Sequence, residues 1–232
     1  MTSSLVSVGA AAARLSQWID ASYPATMPAE LVARRRIRKL AEEVGEAGAA
    51  FGGAVGENPR KGVTHTFADM QAELLDVVVT ALGALEHLTG NHGRSVHAVA
   101  NRLLRNPLLS DYVEPSGDLP TDVGRYAAEF SRTQDSLRPG VHPELLLSTR
   151  FSDIVIAHGN VERAVARTHG LGERRQHDVE LTLENIAVVA LAIWEHTDGN
   201  AGRSGHALAE KLTFVIDRVG LTVEPAAGRA GA

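Results

Sequence analysis

The architecture is decided by residues 81–104, ALGALEHLTGNHGRSVHAVANRLL, which recur as residues 190–213, ALAIWEHTDGNAGRSGHALAEKLT, at a constant offset of 109 positions. Thirteen of the 24 aligned residues are identical, which chance composition does not produce. We therefore interpret the two halves of the chain as copies of one helical unit. Stacking two such copies predicts a pseudo-two-fold bundle, of the kind that a homodimer makes from two chains.

Outward from the repeat, apolar periodicity and helix-breaking residues predict further helices. In the first half they cover residues 5–22, 28–51, 66–89 and 93–104. Thr66 suits an N-cap, with Asp69 three residues later, and Gly90 suits a helix end. Residues 52–65, GGAVGENPRKGVTH, read as a turn-rich loop. In the second half the pattern predicts helices near residues 144–168, 178–197 and 202–218.

The composition also favours helices. Aromatic residues make up only 4% of the chain, while Ala, Leu, Glu and Arg are plentiful, which argues against a β-sandwich. We predict an all-α fold, with a unit of the four-helix-bundle type duplicated in tandem. Five prolines between residues 107 and 145 mark the division. The predicted segments are a first half at 1–112, a connection with one helix (121–137) at 113–145, a second half at 146–220, and a disordered tail at 221–232.

Several functional classes are excluded at this stage. The chain has no cysteine, so disulfides, zinc–thiolate sites and thiol nucleophiles are ruled out. A net charge of -5 argues against a nucleic-acid partner. No apolar stretch is long enough to span a bilayer, and Arg14 interrupts the first apolar segment before it can act as a signal peptide. We expect a cytoplasmic protein with neither nucleic acid nor membrane as partner.

Two pairs of carboxylates carry the chemistry. Glu43 and Glu46 lie three residues apart on the second predicted helix, and Glu73 and Asp76 have the same spacing in an apolar run of the third. Carboxylates embedded in an apolar helix are costly unless they are paired or bind a cation. Oxygen ligands without His or Cys suit a hard cation such as Mg²⁺. The implied chemistry is hydrolysis of a phosphate ester or anhydride by metal-bound water.

Basic residues around these pairs fit a polyanionic substrate such as a triphosphate. Lys39 lies four residues before Glu43 on the same helix face. The loop after this helix carries Arg60 and Lys61, and the fourth helix carries Arg102 and Arg105. We predict that these five residues bind the substrate.

The ExxE pair, the 26 residues that follow it and the ExxD pair in a buried helix resemble the all-α nucleoside triphosphate pyrophosphohydrolases of the MazG kind. Glu42 completes an EExxE motif, and Arg102 and Arg105 fall where such proteins place a basic residue. The resemblance covers residues 28–107, and the second half only through the repeat. It implies hydrolysis of an NTP or dNTP to the monophosphate and pyrophosphate. It also implies Mg²⁺, with Mn²⁺ as an alternative, held by residues matching Glu43, Glu46, Glu73 and Asp76.

The second copy departs from this pattern. The offset of 109 places Thr182 and Asn185 at the positions of the third-helix carboxylates, and the equivalents of Glu43 and Glu46 are expected near Gly159 and Glu162. We predict a poor metal site that completes the bundle and one wall of a nucleotide pocket, in an arrangement that resembles the dimeric dUTPases. Two such pseudo-dimers are candidates to pair as a homodimer.

Two alternatives to an enzyme of this kind remain at this stage. One is a nucleotide- and metal-binding regulatory or partner-binding module with little turnover. The other is a di-iron bundle, which ranks last because such sites use Glu-x-x-His pairs. The repeated histidines, His87 with His196 and His97 with His206, are interpreted as parts of the shared scaffold, because they recur in the copy that lacks the carboxylates.

Overall fold

All of the regular structure is helical in the computed structural model, which describes residues 7–107, 113–166 and 173–222. The described helices are α1 (Val8–Ala21), α2 (Ala29–Ala54), α3 (Phe67–Thr89), α4 (Ser95–Leu104), α5 (Leu119–Ser136), α6 (Pro143–Ala166), α7 (Glu173–Thr197) and α8 (Ser204–Arg218). The predicted all-α fold is confirmed for this part of the chain. None of these helices is both long and apolar enough to cross a membrane. The predicted tail falls outside the described residues from position 223 onward.

The predicted ends of α3 are confirmed. At its N-terminus the Thr66 hydroxyl accepts a hydrogen bond from the Asp69 N–H (3.1 Å), and the Asp69 carboxylate accepts one from the Thr66 N–H (2.7 Å). This capping box satisfies two backbone donors that a helix start leaves unpaired. At the other end Gly90 adopts a left-handed conformation with a φ of 88°. That conformation has little steric cost for glycine and ends the helix.

Helix α4 begins two residues later than predicted, at Ser95. Gly93 has a φ of 73° and lies outside the helix. The fully buried Glu86 carboxylate accepts hydrogen bonds from the N–H groups of Gly93 (2.8 Å) and Ser95 (2.7 Å). This side chain thereby satisfies the free donors at the start of α4. Glu195 makes the same two contacts with Gly202 and Ser204 before α8 (2.8 and 2.6 Å).

Helix α1 begins at Val8, three residues after its predicted start, whereas α2 and α7 extend beyond their predicted ends. Helix α2 continues to Ala54, three residues beyond the predicted end, with Pro28 as its N-cap residue. Helix α7 begins at Glu173, five residues before the predicted start. Both extensions consist of residues without a clear apolar stripe, so periodicity alone placed the ends too close to the helix centres.

Helices α3 and α7 pack against each other at the centre, with α2 against α3 and α6 against α7. Helix α1 packs on α3, and α5 packs in the same way on α7 and also on α8. The segment predicted as a connection therefore contains a core helix, with Val123, Tyr126 and Phe130 buried in the main apolar cluster.

A buried arginine network occurs in each half. Arg36 of α2 donates hydrogen bonds to the Ser16 carbonyl (2.5 Å) and the Asp20 carboxylate (2.6 Å) of α1, and His87 lies 3.0 Å from the same carboxylate. Arg36, which lies in a run of basic residues at positions 34–38, thus pairs α2 with α1.

Helices α5, α6 and α7 repeat these contacts with different residues. Arg150 of α6 donates to the Ser131 carbonyl (3.2 Å) and the Asp135 carboxylate (2.6 Å), and His196 lies 2.9 Å from Asp135. Arg36 of α2 therefore corresponds to Arg150 of α6, at an offset of 114 residues. Asp20 of α1 corresponds to Asp135 of α5, at an offset of 115 residues.

Candidate metal centre

Three carboxylates from two helices converge beside the α2–α3 contact. One oxygen each from Glu43 of α2 and from Glu73 and Asp76 of α3 lie within 4.8 Å of one another. Two ligand oxygens on opposite sides of one Mg²⁺ stand about 4.2 Å apart, twice a metal–oxygen distance of about 2.1 Å. The group can therefore hold a metal ion with small side-chain adjustments.

The local structure explains why these side chains meet. Residues three apart project from one helix face, so α3 presents Glu73 and Asp76 together. On α2, Leu40, Val44 and Ala47 are buried and turn the intervening Glu43 toward α3. Glu43 is only 7% exposed, whereas Glu46, one turn later, is on the exposed side of the helix. The predicted set of four thus consists of a close triad and one outer carboxylate.

Burial and the neighbouring negative charges raise the pKa of two carboxyls of the triad, those of Glu43 and Glu73. Burial raises the pKa of Glu43, and the charges of Asp76 and Glu46 act in the same direction, against a hydrogen bond from Lys39. Burial also raises the pKa of Glu73, with further contributions from Asp76 and Glu46. A bound cation would relieve the same repulsion, because it favours the ionised form of each carboxylate.

Two lysines border the triad from opposite sides. The Lys39 ammonium lies 2.7 Å from Glu43 and 3.0 Å from Glu42, and these hydrogen bonds raise its pKa although partial burial opposes the rise. The Lys211 ammonium of α8 lies 2.6 Å from the Asp76 carboxylate. The predicted position of Lys39 beside the carboxylates is therefore confirmed.

Lys211 was not predicted from the sequence, although a signal for it was present. The repeat aligns Lys211 with Arg102 at the offset of 109, so one position of the repeat supplies a cation in both halves. In the structure, Lys211 of α8 in the second half lies beside Asp76 of the first half.

The other predicted cations lie elsewhere. Arg102 faces Glu184 of α7, with 3.8 Å between the guanidinium and the carboxylate, and Arg105 lines a neighbouring cavity with Arg102. Arg60 and Lys61 lie exposed in the loop between α2 and α3. Lys61 lines a cavity of about 510 Å³ against the glycine-rich end of α2. Arg102 and Arg105 thus lie beside α7 of the second half rather than beside the triad.

The second half presents no carboxylate at the positions equivalent to the triad. The arginine networks match Glu43 with Ala157 and Glu46 with Asn160, and the repeat matches Glu73 with Thr182 and Asp76 with Asn185. This match lies two residues before the expected positions near Gly159 and Glu162. The two differ because α2 and α6 share too few identical residues for the sequence to establish their register.

The fold and the site together define an all-helical protein with a candidate metal centre between two neighbouring helices. Comparison with known proteins finds no family model that matches the chain, and no match among the curated proteins or the solved structures.

Proposed function

We propose that this protein is a Mg²⁺-dependent nucleoside triphosphate pyrophosphohydrolase of the MazG-like kind, with its active site at the triad Glu43, Glu73 and Asp76. The observation that carries the proposal is the convergence of three carboxylate oxygens within 4.8 Å between two lysines. An all-oxygen ligand set that leaves room for water is typical of Mg²⁺ bound together with phosphate oxygens.

In this reaction water attacks a phosphoryl group of the NTP and the bridging oxygen between the α and β phosphates leaves, so that NTP and water give NMP and pyrophosphate. Mg²⁺ supplies charge neutralisation and lowers the pKa of its water when it is bound. Glu43, Glu73 and Asp76 hold the ion, and the outer carboxylate Glu46 accepts a proton or supports a second ion.

The cations around the triad suit the triphosphate chain. Lys39 and Lys211 approach the cluster from α2 and α8, and each is held by a carboxylate that a metal ion would compete for. When the ion binds those carboxylates, the lysine ammonium groups become available to phosphate oxygens. Arg60 and Lys61 extend from the loop that follows α2 and are proposed to bind the distal phosphates.

We also propose that the chain is a tandem duplication of a MazG-like four-helix unit, in which α1–α4 correspond to α5–α8. The equivalent arginine networks and the equivalent glutamate contacts before α4 and α8 support this correspondence, because they involve buried polar groups with several partners. In this view the second half has lost its carboxylates and completes the bundle.

The test is pyrophosphate release from a panel of ribo- and deoxynucleoside triphosphates with Mg²⁺ or Mn²⁺. We expect Glu73→Gln and Asp76→Asn each to lower Mg²⁺-dependent turnover by at least a hundredfold, because each removes a charged metal ligand. Glu30→Gln, at the exposed start of the same α2 helix, is the matched control and should retain the parent rate.

Full turnover in either triad variant would refute the assignment of the site. If the parent protein releases no pyrophosphate but is stabilised thermally by a nucleotide with Mg²⁺, the binding-module alternative replaces the enzyme.

A further inference from the structure

The second half contains a cavity at the place that corresponds to the metal centre. It has a volume of about 480 Å³ and is lined by α5, α6 and α7, with Arg102 from α4. The equivalents of all four predicted carboxylates, Ala157, Asn160, Thr182 and Asn185, contribute to its wall. The volume lies within the range of small-molecule binding pockets in proteins, about 300–1,000 Å³.

The lining of this cavity does not suit a divalent cation. Two amides and a hydroxyl stand where the first half has carboxylates, so the convergent negative charge that attracts a metal ion is gone, and the lining keeps one carboxylate, that of the exposed Asp153. The cation at the repeated position is nevertheless kept, as Arg102 in place of Lys211. These amides, the hydroxyl and Arg102 can therefore bind an anion directly, without a metal ion.

One end of the cavity offers polar and apolar groups suited to a nucleoside. Within the described residues, the Gln134 amide oxygen is buried and accepts no hydrogen bond, although Gln134 lines the cavity. A buried acceptor without a partner is costly, and rotation of the Gln134 amide toward the cavity would let a bound donor satisfy it. Asn160 and Asn185 add amides that can pair with a base edge, and Phe130 provides an aromatic surface.

The other end offers arginine. A second cavity of about 410 Å³ shares Arg102 with the first and is also lined by Arg105 and Glu184. At 3.8 Å the Arg102–Glu184 pair is too long for a hydrogen bond, so it does not use the directional donors of the guanidinium. Burial raises the pKa of Glu184, against the charge of Arg102, which lowers it. Two guanidinium groups match the charge of one phosphate monoester, about −2, better than that of a triphosphate.

We infer that the cavity of the second half is a metal-independent binding site for a nucleoside monophosphate, with Arg102 and Arg105 at the phosphate and the α5–α7 wall around the nucleoside. This site is separate from the metal centre, and its existence does not depend on turnover there.

The test is titration calorimetry of the full-length protein in EDTA with individual ribo- and deoxynucleoside 5′-monophosphates. We expect at least one of them to bind at one equivalent. Affinity should fall at least tenfold in Arg102→Gln, which removes a phosphate contact, and in the near-isosteric Asn185→Asp, which places a negative charge in the cavity. Arg218→Gln, at an exposed arginine of α8 that lines neither cavity, is the control and should bind as the parent does, while Lys211→Gln reports any binding at the metal centre instead.

Two further probes separate the sources of affinity. The free nucleoside and inorganic phosphate should each bind at least tenfold more weakly than the monophosphate, because each fills one end of the site. The inference is overturned if no monophosphate binds in EDTA, if either probe alone binds as tightly, or if affinity responds to Lys211→Gln but to neither cavity variant. Pyrophosphate release with Mg²⁺ is measured separately, so each proposal can fail without the other.

Discussion

At the scale of single residues, the carboxylate triad is a local conflict that the fold tolerates. Glu43 is almost completely buried and faces Glu73 and Asp76, so three carboxylates share a small volume with compensation mainly from lysines at its edges. Like charges at this separation repel by something on the order of a few kcal/mol at an effective dielectric constant near 20. The metal-free protein therefore gives up stability at the position where its function is proposed.

This conflict predicts a pH dependence. The carboxyls of Glu43 and Glu73 have pKa values in the folded protein above their ordinary value of 4.5, so the folded state binds more protons than the unfolded chain above that pH. The metal-free protein should thus lose stability as the pH rises from 4.5 through the raised pKa values, and the loss should then level off. Denaturant unfolding in EDTA at a series of pH values from about 5 to 8 measures it.

The variant Glu73→Gln isolates this contribution. It should flatten the pH dependence and stabilise the metal-free protein at pH 7 by roughly 0.5 kcal/mol, because it removes the like-charge contact with Asp76. The lowered pKa values of Asp20 and Asp69 act below their ordinary value of 3.8, outside this pH window. An unchanged slope in the variant would show that the carboxylates do not repel as the geometry indicates.

At the scale of helices, contacts between backbones determine how each half is assembled. A Cβ on Gly9 of α1 would lie 2.4 Å from the Gly93 carbonyl oxygen, and one on Gly124 of α5 would lie 2.2 Å from that of Gly202. Both distances are shorter than any real contact. The first helix of each half thus packs directly on the backbone turn before its last helix, and only glycine allows that approach.

Gly124→Ala should therefore destabilise the protein by about 2–3 kcal/mol, because the added methyl group must displace backbone rather than a flexible side chain. Gly48→Ala is the matched control, since Gly48 lies within α2 and a Cβ there meets no atom within 4 Å. It should stabilise the protein by about 0.5–1 kcal/mol through helix propensity. Chemical denaturation compares the two, and a loss below 0.5 kcal/mol for Gly124→Ala would contradict the predicted clash.

At the scale of the whole molecule, the two halves depend on each other. The central α3–α7 contact buries apolar residues of both helices, among them Val77, Leu85 and Ile193, and Gln71 donates a hydrogen bond to Thr197 across it (3.0 Å). Lys211 then links α8 to the metal centre on α3. Neither half has a complete core or a complete site by itself.

Residues 1–112 expressed alone should therefore fail to form a stable monomer. The face of α3 that α7 covers would be exposed to water, and burying it requires another copy of the fragment. We expect self-association or aggregation of the fragment in analytical ultracentrifugation. The full-length protein is measured in the same way as the reference. A monomeric fragment that unfolds cooperatively would show that the first half is an independent domain.

The sequence determined the features that depend on residues close together in the chain. The helices follow from apolar periodicity, the capping box from Thr66 and Asp69, and the pairing of carboxylates from i, i+3 spacing. The repeat also pointed to Thr182 and Asn185 as equivalents of Glu73 and Asp76. The helices, the capping box and the carboxylate pairing could be predicted because helix geometry relates sequence spacing directly to position on one helix face.

Only the tertiary structure decided which faces meet. It buried Glu43 but left Glu46 outside the triad, turned Arg102 toward Glu184 of α7, and brought Lys211 of α8 to Asp76 instead. The register and partner of a helix depend on burial summed over many distant side chains, and no local spacing in the chain records that sum.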